Sequence, residues 1–363
     1  MKIECEKKEL LEAVEKVILA TSAKPTIPYL SNIYFSAKEN DLVLNTLDME
    51  IFMKTVIKAK VKEPGRMVVT AKTLHDLLKA NPEGQIKISA NEKKVNIQAK
   101  TKYDLVMPDV EKDAPEFKEI ESDNRVTVEA SVLKDMIKKS IFAISTDSLR
   151  YVLNGVFFIV EKEKIKMVTT DGKRLIYIAK DCKGNKKAAA TAIVPSKAVA
   201  ILSSLIGEGP VELRFGQNQI QFTFGSTMLI TRLIEGNYPN YEQVIPKDKD
   251  LKITFGTKEF LESVSRVSIF AADRSTPIKL TFNKNKVMFF EQDATGNCSS
   301  DEIEIKYEGK EYSVSYNPAY IVEILKNIDS KETDLLLTSP LNPAVIRPAS
   351  EEEYINVIMP MRV

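Results

Sequence analysis

Histidine is nearly absent from this chain of 363 residues: only His75 occurs. A single imidazole excludes the His-rich metal centres. Cysteine is scarce too, and Cys5, Cys182 and Cys298 lie far apart without a CxxC spacing. Neither a disulfide framework nor a zinc site is written there, and a reducing compartment suits three such thiols. There is no apolar run of about 18 residues of the kind that spans a bilayer, and the opening MKIECEKKELLEAVEK is charged and amphipathic rather than a signal peptide. The expectation is a soluble, unprocessed, cytoplasmic protein with no membrane partner. Glycine-rich phosphate loops, nucleophile elbows and kinase signatures are missing, so the sequence offers no catalytic residue, metal site or cofactor. Net charge is also lacking, because 52 Lys and Arg face 51 Asp and Glu for a balance of +1. Any contact with nucleic acid must come from where charge is placed.

What is present is an apolar fraction of 44%, enough to fill two or three cores over this length. Three amphipathic helical stripes recur. They run through Leu10, Leu11, Val14, Val17 and Ile18, through Leu133, Met136, Ile137, Ile141 and Ile144, and through Phe260, Leu261, Val264 and Val267. Aligning Leu10, Leu133 and Phe260 gives offsets of 123 and 127 residues. A second set of helices is expected to open at Thr70, Ser196 and Asn317-Pro318, which read as caps. Its apolar positions Leu74, Val199 and Ile321 are offset by 125 and 122. Between the helices lie β-rich segments such as IYFSA, GVFFIV and IKLTF, each followed by a charged turn. Asp48, Asp171 and Asp293 fall at matching places, offset by 123 and 122, and read as turn formers rather than metal ligands. PYLSNIYF at 28–35 also matches YVLNGVFF at 151–158, with Asn32 opposite Asn154. His75 sits in AKTLHDLLKA and is expected on the surface.

The repeats run over 1–119, 120–247 and 248–363, with proline- and charge-rich junctions at PDVEKDAPEFKEIESDN and GNYPNYEQVIPKDKDLK. Each reads helix, strands, helix, strands: an α+β domain with two helices packed on antiparallel sheet. A metal-dependent nuclease is one alternative, because Asp48 and Glu50 would share a face if LDMEI were a strand. The other repeats keep no second carboxylate, having Asp171-Gly172-Lys173 and Asp293-Ala294-Thr295. A repeat-built scaffold without a nucleic-acid partner is a second alternative, separable by retention on DNA.

RYVLNG at 150–155, TTDGKRL at 169–175, NYPNYEQVIP at 237–246 and the terminal VIMPMRV, together with the three repeats, resemble the bacterial β sliding clamps, the DNA polymerase III beta subunits. The resemblance covers the whole chain. It implies a non-catalytic, head-to-tail homodimeric ring that encircles double-stranded DNA without sequence specificity and tethers polymerases to it. The positions it assigns to DNA contact are Lys24, Tyr151 and Lys197; Lys72 is proposed beside them, with Lys134, Lys138, Lys139, Lys258 and Arg266 as further basic candidates on inner helices or adjacent loops. Acidic neighbours Glu9, Glu12, Glu15 and Glu262 keep those helices from binding tightly. A partner-peptide groove for polymerase subunits, the clamp loader and repair proteins is implied at Leu153, Thr170, Gly172, Lys173, Arg174, Leu175, Pro239, Gln243, Val244, Leu341, Met359, Pro360, Met361 and Arg362. Tyr103 and Leu105 of the first repeat, with Ile269 and Phe270 of the third, correspond to the dimer contact. The chain departs from the family at Lys173, where a histidine is common, at Gln243, where a basic residue is frequent, and at Val152, where a second tyrosine can follow Tyr151.

Overall fold

A computed structural model describes residues 1–21, 28–110, 119–184, 189–246, 251–270 and 276–362. Among them are six α-helices: α1 (Lys7–Val17), α2 (Ala71–Ala80), α3 (Ala130–Lys138), α4 (Ser196–Leu205), α5 (Thr257–Val267) and α6 (Pro318–Lys326). Each follows a strand directly or after one residue, so the chain turns from extended to helical with almost no linker. That economy changes how the helix starts are satisfied. The first N–H groups of α1, α3 and α5 donate to the carbonyls of Gly84 (2.9 Å), Gly209 (2.8 Å) and Lys331 (2.9 Å). At α1 and α5, where no side chain caps the helix, loops distant in sequence take that role.

Two of the expected caps are accordingly different. Thr70 occupies the cap position of α2 but its side chain makes no capping bond. At α4 the cap is Pro195, and Ser196 is already the first helical residue. Only the third expectation is met as written: Asn317 accepts a hydrogen bond from the Ala319 N–H at 2.9 Å, and Pro318 takes the first helical position.

The helices bury the stripes that their spacing dictates. Leu10, Val14 and Val17 of α1 and Phe260, Val264 and Val267 of α5 are buried, α1 packing on α2 and α5 on α6. His75 on α2 is partly exposed. Its side chain is 20% exposed, 3.6 Å from Glu15 and 3.4 Å from Asp76.

By contact density the described residues form two compact units, Met1–Leu133 with Lys183–Leu233, and Lys134–Cys182 with Ile234–Val363. Each takes one outer repeat and part of the middle one. Strand pairing is the reason. In the first unit Thr227–Arg232 pairs antiparallel with Ile51–Lys58, putting Leu229 opposite Met53, and the Thr55 and Thr227 hydroxyls meet at 3.0 Å. This ladder lies within a nine-stranded sheet that runs from Lys183–Gly184 to Gly65–Thr70. A five-stranded sheet in the same unit ends at Lys102–Val106.

In the second unit Arg174–Asp181 pairs with the last strand, Tyr354–Ile358, which puts Leu175 opposite Val357. A separate four-stranded sheet runs Cys298–Glu304, Lys286–Gln292, Ile278–Asn283, Tyr312–Tyr316. Its inner face carries Phe282, Phe289 and Tyr316, all fully buried.

The three aspartates make the turns their residue type favours. Asp48 Oδ1 accepts from the N–H groups of Glu50 (2.7 Å) and Ile51 (2.6 Å). Asp171 Oδ1 accepts from Lys173 (2.9 Å) and Arg174 (3.1 Å), and Asp293 Oδ1 from Thr295 (2.8 Å) and Asn297 (2.9 Å). Side chains that mimic a backbone turn account for the repeat of aspartate. Asp48 and Glu50 lie in the turn between Asp41–Leu47 and Ile51–Lys58, not on one strand face. The geometry imagined for a two-carboxylate metal site is therefore not formed there.

Candidate functional site

The second unit holds a cavity of about 140 Å³ lined by Leu153, Thr170, Gly172, Arg174, Leu175, Pro239, Asn240, Tyr241, Val244, Val357 and Met359. Its floor is the register pair Leu175 and Val357, 3% and 0% exposed, which belong to a core cluster with Ile159, Val168, Leu336 and Val345. Aromatic rings brace that floor. Phe157 stacks on Tyr238 with centroids 4.7 Å apart, and Tyr177 on Tyr241 at 6.0 Å. Burial pushes the Tyr241 hydroxyl up to about 12, with Glu242 adding to it, so the ring presents a neutral face at physiological pH.

One wall is the Thr170–Arg174 turn. Thr170 Oγ1 donates to the Arg174 carbonyl and accepts the Gly172 N–H at 3.0 Å. Gly172 has φ +84, and a Cβ there would lie 2.5 Å from Arg150 Nη1. The left-handed φ is what calls for glycine, whereas the Arg150 side chain could swing aside. Arg150 in turn donates to the Asp171 carbonyl (2.9 Å) and pairs with Asp147 (3.0 Å). The Leu149 N–H and then Arg150 hold the Asp147 carboxyl below its usual range.

Arg174 is 5% exposed, and a buried guanidinium needs full compensation. It receives that from Asp171 (3.1 Å), from Glu323 on α6 and from the Phe142 carbonyl (2.6 Å). The Tyr320 ring lies 4.4 Å from its carbon. The wall is thus rigid and charge-balanced rather than a free cation.

The lip is the C-terminal tail. Met359 N–H donates to the Lys173 carbonyl at 3.0 Å and Met361 N–H to the Ser315 carbonyl at 2.8 Å, so backbone bonds pin the tail beside the opening. The cavity is close in size to the roughly 150 Å³ void that accepts benzene. It fits one or two apolar side chains and no folded surface.

Of the positions the resemblance assigns to a peptide groove, Leu153, Thr170, Gly172, Arg174, Leu175, Pro239, Val244 and Met359 come together here. Lys173, Gln243, Leu341, Pro360, Met361 and Arg362 do not line the cavity; Leu341 is 71% exposed, and Lys173, Gln243 and Arg362 are also exposed. Sequence reading missed Asn240, Tyr241 and Val357, although all three lie inside the quoted motifs NYPNYEQVIP and VIMPMRV. Membership in a motif was the available signal.

The basic and interface positions are distributed as follows. Lys24 lies outside the described residues. Lys72 is exposed on α2, and Tyr151 is 57% exposed in the turn Ser148–Leu153. Lys197 on α4 donates to Asp48. Lys138 lies 3.9 Å from Asp329, Lys258 3.8 Å from Glu262 and Arg266 2.6 Å from Asp301; Lys134 is exposed. Lys139 is corrected: it is 7% exposed and held by Asp135 at 2.9 Å and Glu351 at 3.8 Å, so it is a buried structural cation and not a surface contact. Tyr103 and Leu105 sit partly exposed on the sheet-edge strand Lys102–Val106, and Ile269 and Phe270 are 74% and 40% exposed just after α5.

Three family models match successive stretches of the chain. They are the N-terminal domain of the DNA polymerase III beta subunit at 1–120, its central domain at 127–240 and its C-terminal domain at 242–362. The beta sliding clamp of Caulobacter vibrioides is 28% identical over 378 residues, covering 100% of both chains. Among solved structures, the DNA polymerase III subunit beta from Pseudomonas aeruginosa superposes with a TM-score of 0.96 at 25% identity, covering 100% of each chain. A sliding clamp from Bartonella birtlesii bound to griselimycin gives 0.93 at 27% identity, again over 100% of both.

Proposed function

The chain belongs to the DNA polymerase III beta subunit family, the bacterial sliding clamps, and on that premise we propose that it is a cytoplasmic, non-catalytic processivity factor. Two copies of three domains each, 1–119, 120–247 and 248–363, join head to tail and close a ring around duplex DNA. A heterologous contact that rotates by the right angle closes in this way. Tyr103 and Leu105 of one copy meet Ile269 and Phe270 of the other. Supporting this are two sheet edges, Lys102–Val106 and Cys298–Glu304, unpaired among the described residues, which closure would cover.

Inside the ring the duplex is felt through its phosphates, which carry no sequence information and so permit sliding. Lys24, Lys72, Tyr151 and Lys197 are the proposed contacts. Polymerase subunits, the loader and repair proteins dock a short peptide at the cavity beside the C-terminal tail.

The apolar cavity with its pinned methionine lip is the observation that carries this reading. Met359 and the aromatic-braced floor accept different apolar anchors, because a thioether repacks at low cost. The outer positions Lys173, Gln243, Leu341, Pro360, Met361 and Arg362 flank the anchor and set preference among peptides.

Primer extension with the replicative polymerase and loader of the same cell tests the function. Intact protein should lengthen the product of a single polymerase encounter, and protein lacking residues 359–363 should not, although it still dimerises. Equal product lengths with and without the clamp would refute the reading.

A further inference from the structure

Lys197 is the proposed DNA contact whose charge the protein already answers. Its Nζ donates to Asp48 Oδ2, with the lysine side chain 51% exposed and the aspartate 7% exposed. The two partners differ in freedom. Asp48 is fixed, since its other oxygen holds the Glu50 and Ile51 N–H groups and its own N–H donates to the Ile51 carbonyl at 2.9 Å. Lys197 is a long, half-exposed chain on α4.

The same second oxygen has another use in each repeat. Asp171 gives it to Arg174 Nε at 3.1 Å and Asp293 to Asn297 Nδ2 at 2.9 Å, contacts local to their own turns. In the first repeat alone it reaches across 149 residues to a lysine. Lys72 provides the contrast, being exposed without an ion pair among the described residues.

We propose that Asp48 is an internal counter-anion that a DNA phosphate must displace from Lys197, so that this lysine orients the duplex without adding net adhesion. The inference rests on the reading of the chain as a protein that surrounds DNA. When a free lysine meets a phosphate, the cation condensed there is released, and affinity falls with salt by about 0.9 in log–log slope per phosphate. When Lys197 leaves Asp48, the bared carboxylate takes up a cation from solution. Release and uptake cancel. Only the aspartate is sheltered, and the half-exposed Lys197 can swing between Asp48 and a phosphate in either direction as the duplex moves.

Asp48→Asn is the direct test, because the amide oxygen still accepts the two turn N–H groups while the negative charge and the acceptor facing Lys197 are lost. Binding of a fluorescein-labelled linear duplex is followed by anisotropy from low to moderate salt. Asp48→Asn should bind up to roughly five-fold tighter at low salt, with a salt slope about 0.9 steeper than that of the intact protein. Lys197→Ala should leave the slope unchanged, whereas Lys72→Ala should make it shallower by about 0.9. Parallel lines for Asp48→Asn and intact protein, or equal slope losses in the two lysine variants, would overturn the proposal. Retention of intact protein on nicked circular DNA is scored separately; its loss would indict encirclement, whereas the slopes judge Asp48.

Discussion

Gly172 shows how tightly one position can couple backbone to site. Its left-handed φ of +84 disfavours any side chain, and a Cβ would meet Arg150 Nη1 at 2.5 Å. Gly172→Ala should therefore strain the turn by about 1 kcal/mol and push Arg150 from the Asp171 carbonyl, deforming the wall that carries Arg174. Affinity for a polymerase-derived peptide should fall several-fold with dimerisation intact; unchanged affinity by anisotropy would show that the turn does not shape the cavity. Glu291 is a second informative residue. It is fully buried on the inner face of Lys286–Gln292. Burial raises its pKa, Asp293 adds to the rise, and Ser299 opposes it. A folded value above the unfolded one means that its contribution to stability is complete below about pH 4.5 and is lost as pH climbs through the raised value. Glu291→Gln should leave the urea midpoint unchanged at pH 4 and raise it at pH 7. The same shift at both pH values would remove ionisation as the cause.

Elements were legible in proportion to how local their causes are. The stripes of α1 and α5 follow from spacing alone, so Leu10 and Phe260 could be placed inward without coordinates. The start of α4 could not, because Pro195 and not Ser196 holds the cap position, and α1, α3 and α5 begin on carbonyls of loops far along the chain. For the same reason the cavity floor was only partly visible: Leu175 and Val357 become neighbours through strand register, a contact spanning 182 positions. Two elements carry predictions of their own. The tail after Tyr354–Ile358 is held by backbone bonds from Met359 and Met361, so deleting 359–363 removes the lip and leaves the last strand paired. Peptide affinity should drop by about 2 kcal/mol or more, roughly thirty-fold; equal anisotropy titrations for truncated and intact protein would reject the site. The turn after α5 exposes Ile269 and Phe270, and replacing both by Asp should yield monomers in sedimentation at micromolar concentration. A persistent dimer would move the interface elsewhere.

At the scale of the whole molecule, the repeats of the sequence and the compact units of the structure divide the chain differently. Asp48, Asp171 and Asp293 mark three equivalent turns, whereas the sheets join the middle repeat to both of its neighbours through Leu229 opposite Met53 and Leu175 opposite Val357. Periodicity reveals the first division, and long-range ladders create the second. Charge has a whole-molecule consequence as well. A net +1, with Lys197, Arg266 and Lys258 already paired to carboxylates, leaves little adhesion to hold a protein on DNA. Processivity must then be topological, since contacts made by ion pairs alone would weaken with salt by about 0.9 in log–log slope for each phosphate neutralised. The direct measurement is retention on a nicked circular duplex after loading, followed by a high-salt wash, before and after one restriction cut. Encirclement predicts that the protein survives the wash on the circle and is lost once the circle is linearised; rapid loss from the uncut circle, or equal persistence on circular and free-ended linear DNA, would contradict it.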